Sequence, residues 1–201
     1  MSHSETKAKC LKVMNESGRV GNCDAAKQDG LNFYKYMFGH HPDLRVYFKG
    51  AENFTPTDVQ NSDRFAKQGN STISNNFELF DNLLNYGINT NVEFWERFGS
   101  NASGKIQNCD FSGQRVLLAV RILINTYDDS ETFKAYARET VNRHIKFKMD
   151  RTLWAKFFTL FVNNLKEHTT VDEETEKAFQ QIGKEFSDEC IKHTVALNLP
   201  N

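Results

Sequence analysis

Proline is scarce, with three in 201 residues. Proline removes a backbone donor and breaks helices, so its scarcity leaves room for long ones. Cysteine is sparse as well. Cys10, Cys23, Cys109 and Cys190 are widely spaced and form no CxxC pair, the pattern of free thiols in a reducing compartment. Neither sign of charge dominates, with 25 basic against 26 acidic side chains. Without a basic stripe or a polyanionic tail, nucleic acid and acidic membrane are poor partners. The opening residues, MSHSETKAKCLKVM, hold no apolar signal segment, and no stretch reads as a membrane span. These absences describe a cytoplasmic chain, in which the sequons at Asn15, Asn53, Asn70 and Asn101 are chance matches.

What is present is apolar and aromatic: 39% hydrophobic residues, 17 of them Phe. At this length the chain suits one domain with a sizeable core. Its periodicity is helical. Leu31, Tyr34 and Phe38 recur at spacings of three and four. Pro42 stands where proline tolerates a helix start, with Leu44, Tyr47 and Phe48 after it. Phe54-Thr-Pro-Thr-Asp reads as a turn, and Ser62 as a cap for the run Asp63 to Gly69. Val116, Val120, Leu123 and Tyr127 mark another face, and Asp128, Asp129 and Ser130 offer the N-cap for a run ending at His144. Trp154, Phe157, Phe161 and Leu165 form a further stripe, and Phe179, Ile182, Phe186 and Cys190 the last. No strand-like alternation of useful length occurs. The expectation is an all-α fold of seven or eight helices.

His144 is the most informative side chain. It ends an apolar helical face that runs through Phe133, Tyr136, Ala137, Thr140 and Val141. Neutral imidazole is a good ligand for haem iron, provided its second nitrogen is held by a carbonyl or carboxylate. A carbonyl one turn earlier, near Thr140 or Val141, is the natural holder. Upstream lie Tyr34, Phe48 and Gln68. A ring that can lie flat on a planar ligand and two donors that can face a bound oxygen are the remaining parts of a haem pocket. Each residue also has an ordinary reading. The histidine and phenylalanine could be core filling, the tyrosine half-buried with a wet hydroxyl, and the glutamine a surface residue.

The run QDGLNFYKYMFGHHPDLRVYFKGAENFTPTDVQNSDRFAKQG resembles the first half of a nematode globin. The run QRVLLAVRILINTYDDSETFKAYARETVNRHIKFKMDRTLWAKFFTLFVNNL resembles the second. The resemblance covers roughly residues 5–69 and 114–195. It implies a globin fold carrying haem b and binding dioxygen. His144 would be the proximal iron ligand, Gln68 the distal residue and Tyr34 its partner donor. Phe48 would be the ring packed on the haem, with Val116 lining the distal wall and Val141 the proximal side. Family members with this tyrosine–glutamine pair hold oxygen tightly, and the resemblance allows a homodimer.

Residues 70–113 depart from the family. They hold nine asparagines in 44 positions, a loop-like start, a middle that could form a short amphipathic helix and a linker-like end. In the family the residue matching Gln114 directly follows Gly69. His144 lies 76 residues after Gln68, and removing these 44 leaves 32, a spacing ordinary for the family. The segment thus interrupts the distal helix one residue past the glutamine, within a single domain spanning 1–201. Its borders, Gly-Asn and Phe-Ser-Gly, can be encoded by GGTAAY and TTTTCAGG, which resemble intron borders. We read it as an unspliced or mispredicted intron; a dominant transcript that retains these codons excludes that reading.

Four functions follow in order. The first is reversible dioxygen binding for storage, transport or buffering, without catalysis. The second is haem redox chemistry, such as nitric oxide dioxygenation or peroxide use, with electrons from a donor protein. The third is haem sensing, and the fourth a non-functional isoform made by the insertion.

Overall fold

The computed structural model describes residues 1–20, 23–62, 64–65 and 115–199. Gln68 and the expected insertion at 70–113 lie outside the described residues. Among those described, seven α-helices and two short 3-10 turns occur and no strand. No described helix is long and apolar enough to cross a membrane.

Helix α1, His3–Ser17, opens on a capping box in which the Ser2 and Glu5 side chains each accept from the other residue's backbone N–H. It is closed by Arg121, whose guanidinium donates to the Met14 and Gly18 carbonyls at 2.5 and 2.9 Å. Helix α2, Asp24–His40, carries Tyr34. The 3-10 turn Pro42–Tyr47 follows, with proline at its start. Arg45 ties that turn back to the Phe38 carbonyl through two N–H groups, which sets where Phe48 emerges.

The expected turn at Phe54–Asp58 is instead the entrance to a helix, α3, Pro56–Asn61. Thr55 and Asp58 form a capping box, and Pro56 takes the first helical position, where its missing N–H costs nothing. Ser62 closes α3 and its carbonyl accepts from Phe65 N. Of the run it was expected to cap, Asp63 and residues 66–69 lie outside the described residues.

Helix α4, Arg115–Asn125, leads through a turn to α5, Ser130–His144. Asp129 caps α5 by accepting from Thr132 N, so the Asp128–Ser130 signal marks its start. A second 3-10 turn, Ile145–Phe147, ends in Lys148 at φ +49°. Helices α6, Thr152–Lys166, and α7, Glu173–Ala196, complete the order.

The long hydrophobic helices meet in one aromatic-rich core containing Phe33, Phe38, Phe65, Phe158, Phe161 and Phe179. Helices α6 and α7 cross closely because residue 183 is glycine. A Cβ there would stand 2.5 Å from the Cβ of Phe158. Gly183→Ala is therefore expected to destabilise the fold by about 1–3 kcal/mol, an overpacking cost that thermal unfolding followed by circular dichroism would register. Cys10 and Cys190 are free thiols buried in this core, and burial pushes both up, Cys10 to about 12.

Candidate functional site

His144 is the last residue of α5. Its Nδ1 lies 2.7 Å from the Thr140 carbonyl oxygen. A carbonyl can only accept, so Nδ1 carries the proton and donates. This is the holder expected one turn earlier in the helix, and it leaves the Nε2 lone pair as the available donor to a metal. Burial lowers the pKa of the ring below its ordinary value, and the Arg143 and Lys146 cations add to that; the Thr140 bond opposes them. The imidazole is thus kept neutral at physiological pH. Trp154 on α6 meets it edge-on at 5.4 Å between centroids, and Phe147 lies 5.8 Å away. Val141, one turn back on α5, is buried.

A second cluster surrounds Tyr34. Its ring lies 5.7 Å from Phe33, 5.9 Å from Phe48 and 5.3 Å from Phe65. Phe48 is half-buried and also meets Phe38 edge-on at 5.2 Å. Burial raises the Tyr34 phenol above its ordinary value, while the nearby Arg115 cation pulls the other way. The hydroxyl therefore stays protonated and can donate. Val116, at the start of α4, is partly buried and packs against the core.

These clusters are connected through rings. Tyr34 leads to Phe33, Phe33 to Phe157 at 5.9 Å and Phe157 to Phe158 at 5.5 Å. Phe158 then meets Phe186 at 5.9 Å, Phe186 meets Trp154 at 6.0 Å, and Trp154 reaches His144. A series of ring contacts thus runs from the phenolic donor on α2 to the imidazole ending α5. Trp154, Phe147, Phe65 and Arg115 are parts of this arrangement that the sequence pattern did not assign to the site. Trp154 carried a signal, its place on the apolar stripe of α6. Phe147 carried none, because its neighbours follow no helical period.

The donor set fits haem. Among the described residues no group of three His, Cys, Asp or Glu side chains is placed to hold a metal ion. A tetrapyrrole would supply a metal held through His144 with four further ligands within one flat apolar body. The aromatic walls suit such a body.

The sequence model of the Globin family matches residues 31–92 and 78–190. The chain belongs to the globin family. A globin-like protein of Caenorhabditis briggsae is 36% identical to it, covering 100% of this chain and 97% of the relative. A myoglobin of Ascaris suum is 33% identical over 96% of this chain and 97% of its own length. The solved structure of the Caenorhabditis elegans globin-like protein GLB-1 superposes with a TM-score of 0.76 at 34% identity, covering 100% of this chain and 99% of the other. The expected resemblance to nematode globins and the all-α globin fold are thereby borne out. Family and relatives support a non-enzymatic, oxygen-binding globin.

Proposed function

We propose that this globin binds dioxygen reversibly at a haem b held by His144, for oxygen storage, transport or buffering. The observation that carries the proposal is the 2.7 Å bond from His144 Nδ1 to the Thr140 carbonyl, which aims a neutral, oriented imidazole away from its own helix. Haem, when bound, supplies the iron at which dioxygen is taken up and released. The chain's own side chains do the rest. His144 anchors, Val141 and Trp154 hold the imidazole's surroundings dry, and Phe48 and Val116 offer apolar surface to the macrocycle. Tyr34 supplies an O–H donor to dioxygen in the pocket, and Gln68 its partner N–H donor. Each such bond in a dry site contributes on the order of 1–3 kcal/mol.

A cytoplasmic location belongs to the same proposal and is supported by the free Cys10, Cys23 and Cys190. So does the interruption of a single globin domain by residues 70–113. The family match falls in two stretches, 31–92 and 78–190, that overlap within that segment, which supports it. A homodimer, proposed from the resemblance, is tested by sedimentation.

The test of function is an absorption spectrum. Protein supplied with hemin and reduced should show a Soret band that moves on adding oxygen and moves differently with carbon monoxide. A colourless protein refutes the proposal. An oxygenated spectrum that persists in buffer free of nitric oxide separates carriage from redox turnover.

A further inference from the structure

We propose that Trp154 is a positioning residue that fixes the rotation of the His144 imidazole about its Cβ–Cγ bond. The inference rests on the haem reading above and deepens it. That rotation decides which way the imidazole plane lies across a tetrapyrrole held through Nε2, and groups behind a metal ligand are what set such orientations.

Helix α5 restrains its own histidine only in part. His144 is the last residue, so no further turn of α5 lies over the ring. The Thr140 carbonyl holds Nδ1 at 2.7 Å, but a carbonyl oxygen accepts from a broad range of directions. The torsion itself is soft, because it joins a tetrahedral carbon to a flat ring. The hydrogen bond therefore sets where Nδ1 lies and leaves the angle of the ring plane to the side chains packed on it.

Two rings pack there, and they are held very differently. Phe147 sits on the three-residue 3-10 turn, 46% exposed, with its plane tilted 53° to the imidazole. Such a ring yields when the imidazole turns. Trp154 is 7% exposed, and its plane stands at 84° to the imidazole. Its place is fixed from two sides. The Asp150 carboxylate accepts from Thr152 N and Oγ1, and Trp154 N donates to the Arg151 carbonyl, which together set the first turn of α6. Behind the indole, Phe186 of α7, itself 2% exposed, packs at 6.0 Å. A near-perpendicular pair sets the edge of one ring on the face of the other, the arrangement that ring quadrupoles favour. Turning the imidazole out of it loses that attraction, and the indole is too firmly held to follow.

The test uses the haem-loaded protein and reads the imidazole directly. Resonance Raman of the ferrous, ligand-free form reports the iron–imidazole stretching band, which Trp154→Leu should shift and broaden as several ring rotations become populated. In the ferrous carbon monoxide form, nuclear magnetic resonance should show the His144 Nδ1 proton exchanging with water about two- to tenfold faster, the weight of one aromatic pair. Trp154→Phe, whose smaller ring keeps an edge near the imidazole but leaves a gap, should fall between parent and Trp154→Leu. Phe179→Leu is the packing control, since it truncates a fully buried ring that meets Phe161. It should lower thermal stability and leave both imidazole signals at the parent values. Phe147→Leu should move the band less than Trp154→Leu does. An unmoved band in Trp154→Leu, or an equal shift in Phe179→Leu or Phe147→Leu, overturns the proposal. Should Trp154→Leu fail to hold haem, a Trp154→Phe band identical to the parent's overturns it instead. Absence of a Soret band in the parent fails the haem reading itself, so the two failures are distinguishable.

Discussion

His144→Ala should yield a folded protein that retains no haem. The side chain lies at the end of α5 and, among the described residues, its ring hydrogen-bonds its own helix at Thr140, so truncation removes the proposed iron ligand while leaving the helix scaffold in place. Far-ultraviolet circular dichroism should match the parent while the Soret band is lost. Free imidazole added to the variant should restore part of it, since the space vacated beside Trp154 and Phe147 fits the same ring. Normal haem content in the variant would remove His144 from the site. The parent should also release haem on acidification. Burial holds the folded-state pKa below the ordinary 6.5, so the folded ring resists protonation that the unfolded chain accepts. The stability contributed by the neutral ring is fully present above 6.5 and declines as the pH falls below it. A proton taken up on Nε2 occupies the lone pair that would bind iron, so haem loss follows the same direction.

Tyr34→Phe should speed oxygen release by about ten- to a hundredfold. The change removes one hydroxyl and leaves the ring among Phe33, Phe48 and Phe65, so the aromatic packing persists. A donor bond of roughly 1.4–3 kcal/mol corresponds to that range of rates. Stopped-flow measurement of oxygen dissociation, with carbon monoxide release as the comparison, checks it; carbon monoxide carries less negative charge and should respond less. In the parent the release rate should stay level into alkaline pH, because burial raises the Tyr34 pKa and keeps the donor protonated. An unchanged oxygen release rate in the variant would mean that Tyr34 does not face the ligand.

Much of this was legible in one dimension. The three- and four-residue spacing of apolar side chains placed the long helices, and Asp129 marked the start of α5 through its own side-chain oxygen. Such signals are local, since a helix is closed by bonds between residues four apart. The holder of the His144 ring was legible for the same reason, lying one turn away on the same helix. The short α3 was harder. Pro56 suggests a turn when read alone and becomes a helix start only because Thr55 and Asp58 bond each other across it. The first helix gave little periodic signal: its buried residues include Thr6 and Ser17, and a polar residue inside is recognised only from its surroundings.

The amino-acid order by itself determined the helical class, the imidazole at the end of α5 and the family to which the chain belongs, because each depends on neighbours within a few turns or on a pattern carried along the chain. Only the tertiary structure decided that Trp154 and Phe147 flank that imidazole, that rings connect it to Tyr34, and that Arg115 lies near the phenol. Apart from Phe147, which follows His144 in the next turn, those contacts join side chains on different helices. Packing sets them through the mutual fit of side-chain shapes, such as the close crossing at Gly183, and no periodicity within one helix encodes which face of another it will meet.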